Sequence, residues 1–315
     1  MMKDTINMQR RKLIKTLLVL GASGMTLKSG LITSAHATLK PLILKKIPSS
    51  GEMIPCIGFG TSRTFDAIGD DELIMQLKAV LQGFFDHQGT LIDSSPMYGS
   101  APDVIGKLLP QIKGSENLFA ATKVWTDGKE QGIAQMESSK RRWGIKRFDL
   151  MQIHNLRDWE EHYTTLQKMK EQGDIRYIGV TTSHGRFHEE LAILLKNYAF
   201  DFVQLSYNIA NRNVENKLLP IARDKGIAVI VNRPYQRGSL FRRVRGETLP
   251  AWANELDINS WGQFFLKFVV SHPAVTCAIP ATSKVKHLHD NMGAQFGVLP
   301  DSNMRKKMMD YWRAL

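Results

Sequence analysis

Thr90-Leu-Ile-Asp93-Ser-Ser-Pro-Met-Tyr98-Gly99 is a short apolar run that ends on a carboxylate and passes at once into a turn carrying a phenol. Alone, such a pair is ambiguous: an aspartate can close a turn and a tyrosine can be a hydrogen-bonded core phenol. Two further runs repeat the arrangement. Leu118-Phe-Ala-Ala-Thr-Lys123 ends on a cation, and Phe148-Asp-Leu-Met-Gln-Ile-His154 ends on an imidazole. Three successive strand-like runs therefore deliver an acid, a cation and an imidazole.

Outward from these three, the alternation continues. Eight short apolar runs can be counted: Cys56 to Gly60, Thr90 to Asp93, Leu118 to Lys123, Phe148 to His154, Arg176 to Val180, Phe202 to Ser206, Ala228 to Val231 and Val275 to Ile279. Between them lie helical stripes: Leu73, Leu77, Val80, Leu81 and Phe84; Leu191, Leu194, Leu195 and Tyr198; Trp261, Phe264, Phe265, Phe268 and Val269. Eight βα repeats close best as a (β/α)8 barrel, where chemistry gathers at the strand C-termini. Asp93, Lys123 and His154 would then meet at one mouth, with Tyr98 reaching in from its loop. A doubly wound sheet is the rival, but Gly58-Phe-Gly60-Thr-Ser-Arg63 lacks the third glycine of a dinucleotide fingerprint. The two glycines read instead as close backbone packing. Ahead of the repeats, Pro41 to Ile47 and Met53 to Pro55 flank Ser49-Ser50-Gly51, the pattern of a hairpin plugging one end.

No linker divides the repeats, so residues 38–315 are expected to form a single domain. One connection is long: Asn232 to Asn259 carries Arg233, Arg237, Arg242, Arg243 and Arg245 with Gly238 and Gly246. It reads either as a basic flap over a phosphate or as a solvated loop.

The N-terminus has the three parts of a targeting segment. Arg10-Arg11-Lys12 precedes the apolar run Thr16 to Leu27, and Ala35-His36-Ala37 offers a cleavage site. The paired arginines point to the twin-arginine export machinery and a periplasmic location, with residues 1–37 removed. The apolar run is too short and too rich in small residues for a membrane span, so no stable insertion is expected after cleavage. Of the formal net charge of +12, residues 1–37 hold a net five positive charges, leaving +7 on the rest. That suits an anionic ligand. No long Lys/Arg block marks a nucleic-acid arm. Cys56 and Cys277, the chain's two cysteines, exclude a zinc ribbon or a disulfide-dense scaffold; they read as buried apolar residues, with pairing open in an oxidising compartment. His184 and His188 have helical spacing but no third ligand, so no metal site is expected.

An acid, a lysine, a tyrosine and an imidazole without a metal or a nucleophile elbow suit one reaction. A phenol ionises near pH ~10, and Lys123, held by Asp93, would stabilise its phenolate. His154, as a neutral donor, would orient a carbonyl oxygen. Proton delivery to an oxygen whose carbon takes up a hydride is carbonyl reduction, and the hydride must come from a cofactor.

From about Leu42 to the C-terminal region the chain resembles the aldo-keto reductases. Ile-Asp93-Ser-Ser-Pro-Met-Tyr98-Gly, Ala-Thr-Lys123-Val-Trp and Met-Gln-Ile-His154-Asn match the family's Asp, Tyr, Lys and His in order. The resemblance implies hydride transfer from a nicotinamide to an aldehyde or ketone, with Tyr98 as general acid. It further implies that Gln204 reaches the carboxamide of NADP(H), with Thr181 and Thr182 in place of the usual Ser-Asn pair. Asn232 stands where many members have an aromatic ring, with Tyr235 nearby as a substitute and Arg233 beside it. Ile279 to Asn291 resembles the adenosine-phosphate segment: Ser283 and Lys284 would contact phosphate, His287 stands where an arginine is frequent, and Asn291 closes the stretch. Trp125 reads as substrate pocket or as packing. The competing reading is an exported nucleotide-binding or sensing protein on the same fold, with little turnover.

Overall fold

The computed structural model describes residues 40–315; the expected export segment, residues 1–37, lies outside them. A two-stranded antiparallel hairpin, β1 (Leu44–Lys46) and β2 (Met53–Pro55), comes first. Eight parallel strands follow: β3 (Phe59–Gly60), β4 (Leu91–Asp93), β5 (Phe119–Val124), β6 (Phe148–His154), β7 (Ile175–Thr181), β8 (Phe202–Ser206), β9 (Ala228–Asn232) and β10 (Cys277–Ala278). Their spatial order is their sequence order. The seam between first and last is closed by a parallel bridge, Ile57 to Ala278, with Gly58 N donating to Ala278 O at 2.9 Å and Ala278 N to Cys56 O at 3.0 Å. This is the (β/α)8 barrel; an open doubly wound sheet has no such seam.

Close approach of the neighbouring strands on either side explains both glycines of the first run. A Cβ on Gly58 would stand 2.8 Å from Leu91 O, and one on Gly60 2.9 Å from Ile279 O, so only hydrogen fits at either position. Cys277 Sγ lies at the same place, 3.1 Å from that Gly58 Cβ, and both cysteines are buried free thiols.

Helices alternate with the strands. In α1 (Asp71–Asp86), Asp70 accepts from Leu73 N at 2.9 Å and Asp71 and Glu72 occupy the first turn, where acids favour helix initiation. Leu77, Val80, Leu81 and Phe84 are its fully buried stripe. A helix at Trp261–Val270 starts from Ser260, which accepts from Gln263 N, and is buried through Phe264, Phe265, Phe268 and Val269. The helix His188–Asn197 stops before Tyr198, whose backbone is extended and whose ring, 39% exposed, packs edge-on against Trp159 and Tyr163, so that residue leaves the expected stripe. The last barrel helix, Val285–Gly293, packs on α1 and completes the outer ring.

Alternation along each strand sorts the barrel interior into two halves. Leu91, Phe119, Leu150, Tyr177, Phe202 and Ile230 fill its lower half as one apolar cluster with Ile47 and Ile54 of the hairpin, which seals that end. One or two steps further along the same strand faces stand Asp93, Lys123, Gln152, His154 and Gln204, all buried. The core is thus apolar at the floor and polar at the mouth.

The long connection after β9 folds into short pieces, among them a helix at Ser239–Arg243 and a 3-10 helix at Ala251–Leu256. Its arginines divide. Arg233 and Arg237 line the cavity at the mouth, while Arg243 lies 4.4 Å over the Trp312 ring. Among the described residues no helix is long and apolar enough to cross a membrane.

Candidate active site

Strand β4 ends by turning Asp93 inward, and β5 brings Lys123 beside it. Lys123 Nζ donates to Asp93 Oδ2 at 2.6 Å and to Ser94 O at 2.8 Å. The other carboxylate oxygen, Oδ1, accepts from Gln152 Nε2 at 2.8 Å and Gln204 Nε2 at 2.9 Å. Both oxygens of Asp93 therefore meet donors, which a buried carboxylate requires. The turn Ser94 to Tyr98 carries the phenol back over this pair. Lys123 Nζ stands 5.2 Å from the Tyr98 ring centroid, and the Tyr98 and His154 rings meet edge-on at 6.3 Å and 88°.

The protonation states follow from burial and neighbours. Burial pulls the Lys123 pKa down, but Asp93 and the Tyr98 phenol pull it up and prevail, so the group is a cation. Burial raises the Tyr98 pKa against the opposing pull of Lys123, so the phenol keeps its proton at neutral pH. Lys123 moderates that rise without reversing it, a smaller effect than the lysine–phenol pairing alone suggests. Burial and the Lys123 charge lower the His154 pKa to about 3, which leaves a neutral imidazole.

These groups open on a cavity of about 1260 Å³ lined by Asp93, Tyr98, His154, Gln204 and Asn232 at one side and by His287 and Asn291 at another. Pockets for one small molecule run to about 1,000 Å³ at most, so there is room for a large ligand and a second, smaller one. Arg63, Asn155, His184, Arg233 and Arg237 line it with left-handed backbone, φ between 53° and 67°. Non-glycine residues held in that conformation collect at functional loops.

The cations at the mouth are short of counter-charge. Arg233 and Arg237 both direct a guanidinium nitrogen at His184 Nε2. Burial, with the guanidinium groups of Arg237, Arg63 and Arg186, pushes the Arg233 pKa down to about 10. Such a cluster fits phosphate oxygens.

Other expected site residues are placed differently. Thr181 lines the cavity, whereas Thr182 is buried behind it, its hydroxyl without a partner among the described residues. Gln204 is committed inside the protein: besides its bond to Asp93, it donates to Gln152 Oε1 at 3.0 Å and accepts from Asn232 Nδ2 at 3.2 Å. Asn232 also donates to Thr182 O and accepts from Ser206 Oγ at 2.6 Å, so an amide network occupies the place expected for an aromatic ring. Tyr235 is half-buried at the cavity wall and donates to Asn291 Oδ1 at 2.6 Å. Ser283 and Lys284 do not line the cavity; the carbonyl of Ser283 accepts from Gln76 of α1. Trp125 is set back as well, because Gln135 grips its backbone from both sides. Its ring lies 6.3 Å from that of His154, with the Arg157 guanidinium 4.9 Å over it. His184 sits in the loop before the helix that starts at His188, so the two do not share a helical face. Among the described residues no three His, Cys, Asp or Glu side chains form a metal-binding group.

Gln152, Arg63 and Ser95 belong to this site without having been singled out in the sequence. Gln152 was findable, since it lies two residues before His154 on the same strand face. Arg63 and Ser95 sit on loops, where no periodicity points.

The sequence model of the aldo/keto reductase family matches residues 56–307. An uncharacterized oxidoreductase of Schizosaccharomyces pombe is 30% identical over 258 residues, covering 76% of this chain and 80% of that protein. A probable aldo-keto reductase of Glycine max is 24% identical, covering 86% and 88%. Among solved structures, an aldo/keto reductase of Klebsiella pneumoniae in complex with NADP and acetate superposes with a TM-score of 0.72 at 24% identity, over 85% of this chain and 95% of that one.

Proposed function

The chain is a member of the aldo/keto reductase family, and on that premise we propose that it is an NADP-dependent reductase of aldehydes or ketones, with Tyr98 as the proton donor. One observation carries the reading. A buried Lys123–Asp93 pair lies beneath a protonated phenol, and a neutral imidazole faces the same cavity.

A carbonyl oxygen placed between Tyr98 and His154 meets a phenolic O–H on one side and an uncharged ring on the other. As negative charge grows on that oxygen, Tyr98 gives up its proton. The Lys123 ammonium, fixed by Asp93, lowers the cost of the phenolate left behind. Gln152 and Gln204 hold the carboxylate in turn, so the cation cannot drift. A nicotinamide dinucleotide, when bound, would supply the hydride that no side chain can. Arg233 and Arg237 would suit its phosphates, and His287 and Asn291 line the same cavity. Tyr98→Phe is expected to lower the reduction of a small aldehyde panel by roughly 10²-fold or more, with NADPH binding, read by its fluorescence, unchanged. Undiminished turnover would remove Tyr98 from the role.

The amide network at Asn232 favours a second reading, a nucleotide-binding protein with little turnover, because the usual stacking ring is missing. Nucleotide binding by wild type without reduction of any carbonyl across a broad panel would decide for it. Export by the twin-arginine route belongs to the same proposal and rests on residues 1–37 alone. Fractionation should find mature protein outside the cytoplasm, and Arg10→Lys with Arg11→Lys should hold it inside.

A further inference from the structure

Ser95 lies midway between Asp93 and Tyr98 and is completely buried. Its hydroxyl stands 3.2 Å from His154 Nδ1 and makes no other hydrogen bond among the described residues. The backbone carbonyl of Ser95 accepts from Tyr98 N at 3.1 Å, so the hydroxyl is carried on the turn that fixes the phenol. His154 lines the cavity, and its Nε2 has no protein partner among the described residues.

A neutral imidazole carries one proton, on either nitrogen. The surroundings make the two choices unequal. With the proton on Nδ1, that nitrogen donates to Ser95 Oγ, and the serine O–H is left buried with no acceptor. The nitrogen facing the cavity is then a bare lone pair, which repels a carbonyl oxygen. With the proton on Nε2, Ser95 donates to Nδ1 and both buried atoms are satisfied. Nε2–H is then free to donate into the cavity. Leaving a buried hydroxyl unpaired is penalised heavily enough to favour the second form by roughly tenfold or more.

We propose that Ser95 sets the tautomer of His154, holding the proton on Nε2 so that the ring donates a hydrogen bond to the carbonyl oxygen of the substrate. Ser95 is a positioning residue: it acts through His154 and touches no substrate atom. The inference rests on the reductase reading for its consequence, but the tautomer itself does not.

Long-range proton–nitrogen NMR on the full chain with 15N-labelled histidine tests it. In wild type, His154 should show a protonated Nε2 and a bare Nδ1. In Ser95→Ala that preference should weaken or reverse. The kcat for a small aldehyde should fall about tenfold, with the dissociation constant for NADPH unchanged. Ser95→Thr, which keeps a hydroxyl, should restore the wild-type nitrogen signals and most of the rate. A wild-type ring protonated on Nδ1, or a Ser95→Ala protein with both tautomer and kcat unaltered, overturns the proposal. If the wild-type protein reduces no carbonyl, the reductase reading falls separately, and the nitrogen signals still decide the tautomer.

Discussion

Lys123 Nζ stands 2.6 Å from Asp93 Oδ2, with the two side chains only 0% and 3% exposed. A buried pair of this kind adds little net stability against an apolar substitute, yet removing one member strands the other. Lys123→Met should therefore lower unfolding stability by about 3–5 kcal/mol, read from denaturant midpoints. The double variant Lys123→Met with Asp93→Asn should recover part of that loss while remaining inactive. Equal stability of the single and double variants would show that Asp93 finds other compensation.

His154 connects stability to acid. Its pKa is lowered from 6.5 in the unfolded chain to about 3 in the folded one. Between those values the unfolded state binds the extra proton, so stability rises with pH across the window and is lost as pH falls through it. The slope from this group is about 1.4 kcal/mol per pH unit. Urea unfolding at several pH values between 7 and 4 should show it, and His154→Gln should flatten it. An unchanged slope in the variant would assign the acid sensitivity elsewhere.

Lys267 is fully buried and donates to three backbone carbonyls: Leu256 O at 2.6 Å, Phe296 O at 2.8 Å and Val298 O at 2.9 Å. It ties the end of the long connection to the segment after the last barrel helix. Lys267→Met leaves those acceptors without their donor, and a loss of about 2–4 kcal/mol is expected. Amide exchange should accelerate around residues 256–258 and 296–298 while the barrel strands keep their protection. A variant as stable as wild type would mean that water takes over all three bonds.

Arg237 and Arg233 share His184 and face the cavity without a carboxylate of their own among the described residues. Arg237→Gln should weaken NADPH binding about tenfold at low salt and make the remaining affinity less sensitive to ionic strength. Titration at two salt concentrations measures both. Unaltered affinity would place the phosphates away from this loop.

The eight strands were legible as short apolar runs between helical stripes, and three of them close on an inward polar residue: Asp93, Lys123 and His154 carry the same message three times. The hairpin showed equally well through Ser49-Ser50-Gly51. Long-range packing wrote the rest. Nothing near Trp125 in sequence shows that Gln135 will hold its backbone, or that Ser283 will turn its carbonyl to Gln76. Gln204 pointed to the interior, but its engagement with Asp93, Gln152 and Asn232 depends on three other strands. The arginines of the mouth come from loops after different strands, so their meeting is a property of the closed ring and not of any one stretch. Tyr198 continued a helical stripe on paper, yet the helix ends one residue earlier.

The floor built by Ile47 and Ile54 has a consequence for traffic. With the lower opening stoppered by hydrocarbon, solutes and protons reaching the polar half pass the rim where Arg63, Arg233 and Arg237 stand. A negatively charged molecule entering the polar half therefore meets three guanidinium groups on its way. Simple anions such as sulfate should accordingly compete at that gate, whatever carbonyl compound is being turned over beneath it.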